Sequence, residues 1–158
     1  TKVFPIDGNH ECYPANVYDF GDPREDLLRT AFSDAWKDFV GDQAADSMKK
    51  RMYYSVYHKE LNMKIVAIDT NVCAVWNWFL LENPTDPAGM LEWLKAELYD
   101  AENKNQFVYI IGHIPTGTDC LYEWAARYQT LVDRFSYTIR GQFFGHTHYD
   151  QFQVFYGV

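Results

Sequence analysis

The chain has 158 residues, of which 47% are hydrophobic and 18% aromatic, so it carries enough apolar surface for one packed domain and is not a disordered segment. Its 14 basic and 22 acidic residues give a net charge of −8, which removes the basic footprint that nucleic-acid-binding proteins use to gather phosphates. No apolar run approaches the about 20 residues that cross a bilayer, so no transmembrane segment is expected.

Three stretches show helical spacing of apolar residues, at about 23–40, 87–102 and 121–135. Asp86 is the expected cap of the second stretch, and the expected start and stop signals of the first are Asp22, Pro23, Glu25 and Gly41. Each apolar stripe is expected to pack against a sheet. The stripe of the first helix consists of Leu27, Leu28, Ala31, Phe32, Ala35, Trp36, Phe39 and Val40.

Short runs of β-branched and aromatic residues alternate with these helices, which predicts an α/β fold in a single domain. The predicted strands are 3–6, 53–57, 63–69, 107–111, 138–144 and 151–156. Those at 64–68 and 107–111 are almost continuously apolar, as expected for strands that are buried on both faces.

Histidines follow three of the predicted strands, each time directly or shortly after a glycine. The motifs are Gly-Asn-His-Glu at 8–11, Gly-His at 112–113 and Gly-His-Thr-His at 145–148. Because sites in open α/β sheets assemble at the carboxyl ends of strands, the three motifs are expected to converge.

The convergence predicts a metal site made of Asn9, His113, His146 and His148. Neutral imidazole is the commonest protein ligand of zinc-like metals, and an asparagine carbonyl supplies an oxygen. If the backbone stays extended, His146 and His148 project to the same side. Each motif alone is more often an ordinary strand end, but the three in this order favour a metal site. His58 has no such context and is expected in a hairpin turn.

These motifs, in this order, resemble the second half of the signature of the calcineurin-like metallophosphoesterases. The stretches 85–94, 110–115 and 142–152 more specifically resemble the acid sphingomyelinases. The resemblance covers nearly the whole chain, and it implies a four-layer fold of two packed β-sheets flanked by helices, with two Zn²⁺ ions at one edge. The site residues that it implies are Asn9, His113 and His146 for one zinc, His148 for the other, His10 as the proton donor to the leaving group, and Glu11 as the residue that orients His10.

The resemblance also implies a disulfide between Cys73 and Cys120. Such a bridge closes a loop of about 48 residues, which the chain-entropy estimate values at about 4 kcal/mol. Because disulfides persist in oxidising compartments, a lysosomal or secreted protein is expected. The partner of Cys12 is left open.

The implied activity is zinc-dependent hydrolysis of sphingomyelin to ceramide and phosphocholine by attack of a metal-bridging hydroxide. The expected substrate is a phospholipid or another phosphodiester, with peripheral membrane contact through regions outside this chain and no nucleic-acid partner. Two alternatives stay open. One is a related phosphodiesterase that acts on nucleotides or other phosphodiesters, and the other is a non-catalytic module with the same fold.

The sequence departs from the family signature in its first half, which comprises Asp-x-His and Gly-Asp motifs. No Asp-x-His occurs, and the Gly-Asp pairs at 21–22 and 41–42 lie beside a helix. Residues 1–158 are therefore expected to be the central to C-terminal part of a catalytic domain, lacking the main ligands of one metal and inactive alone. Asp7 stands where the relatives usually have an apolar residue, which puts the packing of its loop in doubt.

Overall fold

The computed structural model describes residues 2–21 and 25–156, without the side chains of residues 25 and 26. The elements in chain order are α1 (Glu25–Val40), α2 (Asp42–Arg51), β1 (Tyr54–His58), β2 (Met63–Ala67), α3 (Met90–Asn103), β3 (Phe107–Ile111), α4 (Tyr122–Arg134) and β4 (Ile139–Phe143). The predicted α/β class is confirmed. None of the helices in this part of the chain is both long and apolar enough to cross a membrane.

The strands form one mixed sheet in the order β1-β2-β3-β4. β1 pairs with β2 in antiparallel orientation, whereas β2, β3 and β4 are parallel. In the register, Ala67 of β2 lies beside Ile111 of β3, and Ile111 lies beside Phe143 of β4. The carboxyl ends of the three parallel strands therefore meet at one edge of the sheet, and the loops that follow them emerge side by side.

The main core lies between one face of the sheet and the helices α3 and α4, which connect the parallel strands. Both helices bury the apolar residues that their spacing predicts, among them Leu94 and Leu98 of α3 and Trp124 and Tyr128 of α4. From β3, only Val108 and Ile110 point into this core, and Phe107 is 41% exposed. The prediction that β3 is buried on both faces is therefore wrong, because its second face is open to solvent at Phe107 and is covered only in part at Ile111, which packs against the cluster that includes α2.

The beginning of α3 shows how an aspartate fixes the start of a helix. The Asp86 carboxylate accepts hydrogen bonds from the backbone N–H groups of Leu91 at 2.8 Å and Glu92 at 3.2 Å, which confirms the predicted cap. The helix itself begins later than expected. Residues Pro87–Gly89 form a 3₁₀ turn in which Ala88 has a φ of 56°, so the regular helix starts only at Met90.

The first helix differs from its prediction in the face that it buries. Much of its apolar stripe is exposed, including Leu27 at 78% and Phe39 at 52%, because α1 packs on α2 rather than on the sheet. The Ser33 hydroxyl donates to the Ala45 carbonyl of α2 at 2.8 Å. The helix ends at Gly41 as predicted, where φ is 85°, whereas the predicted start signals Asp22 and Pro23 and the Glu25 side chain lie outside the described residues.

Helix α2 was not predicted from the sequence, although it covers part of the second face of the sheet. It buries Ala44, Ala45 and Met48 against Tyr54 and Ala67. Three small or flexible residues in a helix of ten make a weak periodic signal. The stronger signal is electrostatic, with Asp42 in the first turn and three basic residues in the last.

Two predicted strands, 3–6 and 151–156, have no regular secondary structure. A strand needs a partner, and neither segment pairs with the sheet within residues 2–21 and 25–156. The first segment is instead held by the Tyr54 hydroxyl, which donates to the Pro5 carbonyl at 2.6 Å. The described residues accordingly form one sheet, and the second sheet of the expected four-layer arrangement is not formed among them.

Candidate metal centre

Three side chains from distant parts of the sequence converge at the carboxyl edge of the sheet. Asn9 Oδ1 lies 2.8 Å from His113 Nε2 and 3.1 Å from His146 Nδ1, and the two nitrogens are 3.3 Å apart. The Asn9 amide nitrogen donates to Asn16 Oδ1 at 2.6 Å, so its oxygen is the atom that faces the imidazoles. One oxygen and two nitrogens thus point at a common centre.

The spacing of these atoms fits a single divalent ion. Ligands about 2.0–2.1 Å from a zinc ion lie about 3 Å from one another, which is the spacing of Asn9 Oδ1, His113 Nε2 and His146 Nδ1. Two imidazoles and an amide oxygen form a donor set that zinc-like metals accept. Within residues 2–21 and 25–156, no group of three His, Cys, Asp or Glu side chains has a comparable arrangement. The third donor here is the asparagine amide.

The backbone brings the two histidines together by continuing the pairing of β3 and β4 beyond the ends of the strands. The Gly112 N–H donates to the Phe143 carbonyl at 3.0 Å, and the Gly145 N–H donates to the His113 carbonyl at 2.9 Å. His146 then has a φ of 69°, so the chain turns and its ring points back toward His113. The predicted convergence of the strand ends is confirmed for these two histidines.

Two glycines allow this approach because they lack a side chain. A Cβ at Gly112 would lie 2.9 Å from a ring carbon of Phe144 and 3.0 Å from a methyl group of Thr70. A Cβ at Gly8 would lie 3.1 Å from the imidazole of His113. Neither glycine has a positive φ. Their role is therefore close packing rather than a backbone conformation that only glycine adopts.

The loop that follows β2 fixes the position of His113. The Thr70 hydroxyl oxygen accepts hydrogen bonds from the backbone N–H groups of His113 at 3.2 Å and Ile114 at 2.6 Å. Both Thr70 and Ile114 are buried, so this oxygen satisfies donors that water does not reach. Thr70 was not identified from the sequence, since a threonine after a strand has no distinctive pattern.

The electrostatic surroundings of His113 favour its neutral form. Burial lowers the pKa of His113, and the nearby His146 lowers it further. Neutral imidazole is the form that binds a metal. The nearby Glu11 carboxylate acts in the opposite direction, but burial outweighs it and the pKa of His113 stays lowered.

A buried polar cluster supports the loop that carries Asn9. The Asn71 amide nitrogen donates to Asp7 Oδ2 at 3.0 Å and to the Gly8 carbonyl at 3.2 Å, and Asp69 Oδ1 accepts from the Asn71 backbone N–H at 2.9 Å. Burial raises the pKa of Asp69 to about 7, and burial followed by the charge of Asp69 raises the pKa of Asp7. Asp7 is therefore part of this cluster, which ties the end of β2 to the Asn9 loop.

Sequence reasoning missed Asp69 and Asn71 because it followed the histidines. The signal was nevertheless present, since Asp69 comes two residues after the end of β2, as His113 does after β3, and Asn71 lies in the turn that follows. The rule that functional groups follow parallel strands would have found them.

The remaining predicted site residues lie around the three donors rather than among them. His148 is exposed and has a φ of 59°, so the backbone of the histidine pair is not extended and the condition for both side chains to project to the same side is not met. His10 is exposed next to Asn9. Glu11 accepts a hydrogen bond from the Gly8 backbone N–H at 2.7 Å, which closes the turn that presents Asn9. The roles of His10 and Glu11 in proton donation stay predictions.

The expected disulfide links Cys73 and Cys120. The bridge joins the turn after β2 to the loop before α4, where Ala74 and Cys120 also pair as an isolated β-bridge. Cys12 is buried in the Asn9 loop, and its thiol lies 3.6 Å from the Asn9 carbonyl oxygen.

The chain is similar in sequence to several phosphodiesterases. Sphingomyelin phosphodiesterase of Bos taurus is 39% identical over 160 residues, which cover 99% of this chain and 25% of that protein. Sphingomyelin phosphodiesterase 2 of Caenorhabditis elegans is 39% identical over 100% of this chain and 26% of its own length. Cyclic GMP-AMP phosphodiesterase SMPDL3A of Rattus norvegicus is 32% identical over 97% of this chain and 36% of its own length.

The chain therefore spans about a quarter of the length of the two sphingomyelin phosphodiesterases. The sequence pattern of the calcineurin-like phosphoesterase family matches residues 1–150, a range that contains all three strand-end motifs. The family match, the three sequence motifs and the converging donor atoms all indicate the same family. The chain belongs to the calcineurin-like phosphoesterase family.

Proposed function

We propose that this protein is a zinc-dependent phosphodiesterase of the sphingomyelinase type, which hydrolyses sphingomyelin to ceramide and phosphocholine. The observation that carries the proposal is the convergence of Asn9 Oδ1, His113 Nε2 and His146 Nδ1 within 3.3 Å of one another. Oxygen and nitrogen donors this close together, at the edge of the sheet of a calcineurin-like phosphoesterase, are suited to binding one divalent ion.

In this proposal Asn9, His113 and His146 hold one zinc ion, and His148 contributes to a second. A divalent ion bound there acts as a Lewis acid on the phosphate oxygens and lowers the pKa of water toward neutrality. The Thr70 hydroxyl oxygen and the Gly145 backbone N–H both bond to the backbone of His113 and keep it in place, which favours a preorganised site. The neutral form of His113, favoured by burial, leaves its nitrogen available as a ligand.

His10 is proposed to donate a proton to the departing alkoxide. It follows Asn9 directly and is exposed, so its imidazole can reach a bound substrate without first leaving a packed core. A positioned general acid of this kind contributes about 10² to 10⁴ in rate. Glu11 supports this role indirectly, because its hydrogen bond to Gly8 holds the turn in which His10 lies.

Sphingomyelin is proposed as the substrate because the relatives that share 39% of their aligned residues with this chain are sphingomyelin phosphodiesterases. The net charge of −8 does not oppose this choice, since local metal ions rather than the surface would attract the phosphodiester. The disulfide between Cys73 and Cys120 supports a lysosomal or secreted location, where such bridges persist.

A second candidate substrate is a cyclic dinucleotide. The relative SMPDL3A, at 32% identity, is a cyclic GMP-AMP phosphodiesterase, and its match covers 97% of this chain. The proposed metal centre would serve both reactions, because each breaks a phosphodiester bond. The two candidates therefore differ in the groups that bind the rest of the substrate.

To test the proposal, sphingomyelin in detergent micelles is incubated with the natural full-length protein, and the release of phosphocholine is measured. Hydrolysis is expected, with loss on treatment with a zinc chelator and recovery on addition of zinc. Cyclic GMP-AMP is assayed in parallel under the same conditions. Hydrolysis of the dinucleotide but not of sphingomyelin would establish the second candidate, and hydrolysis that survives complete removal of metal would contradict the proposed site.

A further inference from the structure

Asp119 lies behind one of the proposed metal ligands. Its Oδ2 is 3.4 Å from His146 Nε2, the ring nitrogen on the far side from Nδ1, which faces Asn9 and His113. Only 17% of the His146 side chain is exposed, so the ring has little freedom to find another partner in water. The imidazole is therefore held between the candidate metal centre and a carboxylate.

We propose that Asp119 is a positioning residue for His146, an inference that rests on the proposed metal centre. When the neutral ring carries its proton on Nε2, that N–H faces Asp119 Oδ2 at 3.4 Å and the Nδ1 lone pair points at the proposed metal position. A carboxylate on the distal nitrogen of a ligating histidine fixes its tautomer and orientation and makes it a more basic ligand. Asp119 thus acts on the ion through His146 without binding it.

The disulfide loop holds Asp119 in place independently of His146. The Val75 backbone N–H donates to the Asp119 carbonyl at 3.0 Å, and the Leu121 N–H donates to the Cys73 carbonyl at 2.7 Å. Cys120, the next residue, is bonded covalently to Cys73. The backbone of Asp119 has a φ of 65°, an αL conformation that aspartate tolerates better than most residues. The carboxylate is therefore presented by a loop that is fixed on both sides.

This arrangement makes the disulfide part of the site rather than only a brace for the fold. The turn Thr70–Cys73 carries the acceptor for the His113 backbone and ends at the bridge to Cys120, which adjoins the partner of His146. One covalent link therefore joins the segments that orient both histidines. Loss of the bridge is expected to move Asp119 away from His146 and to weaken metal binding.

The alternative explanation is an ordinary ion pair between a protonated His146 and a partly exposed carboxylate, which is worth about 0–1 kcal/mol and has no effect on the metal. The two explanations differ in the affinity for zinc. Asp119→Asn removes the charge and keeps the size of the side chain. A matched control is Asp133→Asn, because Asp133 is exposed near the end of α4, at the edge of the sheet where β4 begins and away from the site.

The experiment measures the zinc affinity of the natural full-length protein by competition with a chromophoric chelator, for wild type and both variants. Asp119→Asn is expected to bind zinc about 10- to 100-fold more weakly, with an unchanged unfolding midpoint of the metal-free protein. Asp133→Asn is expected to match wild type. Equal zinc affinity of Asp119→Asn and wild type would overturn the inference, whereas a wild type that binds no zinc would overturn the proposed function.

A double-mutant cycle separates positioning from general stability. Cys73→Ser/Cys120→Ser is combined with Asp119→Asn, and the zinc affinities of all four proteins are compared. Because the disulfide acts on His146 through Asp119, the combined loss is expected to be smaller than the product of the separate losses. Losses of zinc affinity that simply multiply would contradict the coupling. Asp119→Glu is expected to recover part of the zinc affinity, because it restores the negative charge.

Discussion

Replacing His113 with alanine is expected to abolish phosphodiester hydrolysis and to remove zinc from the site. His113 Nε2 is the donor nearest to Asn9 Oδ1, at 2.8 Å, and it also faces His146. Charge stabilisation by a catalytic metal is worth several kcal/mol, so its loss lowers kcat/KM by about 10³-fold or more. The measurement is kcat/KM for sphingomyelin together with zinc content by elemental analysis.

His58 provides the matched control for this substitution. It ends β1, opposite Met63 at the beginning of β2, and therefore lies at the edge of the sheet away from the candidate centre. His58→Ala is expected to keep the activity and zinc content of wild type. An active, zinc-containing His113→Ala protein would refute the assignment of His113 as a ligand.

Removing the disulfide is expected to lower the free energy of unfolding by about 4 kcal/mol. The bonded cysteines are 47 residues apart in sequence. Closing a loop of that length lowers the conformational entropy of the unfolded chain, which the chain-entropy estimate values at about 4 kcal/mol of stability. The variant is Cys73→Ser/Cys120→Ser, which avoids a single unpaired thiol at either position. Urea unfolding followed by fluorescence of the tryptophans measures the difference.

A reducing agent supplies the control for the disulfide prediction. Wild type in the presence of reductant is expected to unfold at the same urea concentration as the double variant, and the variant is expected not to respond to reductant. A wild-type protein whose stability is the same with and without reductant would show that the bridge does not contribute to the stability of the fold.

Elements with a strong local pattern were predicted close to their observed positions. The helices α3 and α4 and the strands β2, β3 and β4 follow from spacing and residue type, because their apolar residues face a core that they share. Helix α1 shows the limit of that reasoning. Its apolar spacing correctly indicates a helix but does not determine what covers each face, and Leu27 and Phe39 are exposed.

The strands predicted at 3–6 and 151–156 were wrong for a different reason. Alternation or β-branched composition describes a segment that is suited to a strand, but pairing depends on a second segment. Within the described residues, 3–6 and 151–156 have no partner in the sheet. Composition alone cannot supply this information, because the partner of a strand can lie anywhere in the sequence.

At the candidate site, the meeting of His113 and His146 was predictable because each follows a strand and the two parallel strands end together. Asn9 joins them although the segment before it, 3–6, has no regular secondary structure. The contributions of Thr70 and Asp119 were not predictable. Each acts through a contact with a residue at least 27 positions away, and neither belongs to a recognisable motif. Contacts that hold a ligand in place from a distant part of the chain become visible only when the chain is folded.

In the proposed metal centre, Asn9, His113 and His146 bind one zinc ion. The most direct test is a crystal structure of the zinc-loaded protein with diffraction data collected on both sides of the zinc absorption edge. An anomalous peak is expected about 2.0–2.2 Å from Asn9 Oδ1, His113 Nε2 and His146 Nδ1. A zinc-loaded, active protein without a peak between these three atoms would contradict the claim.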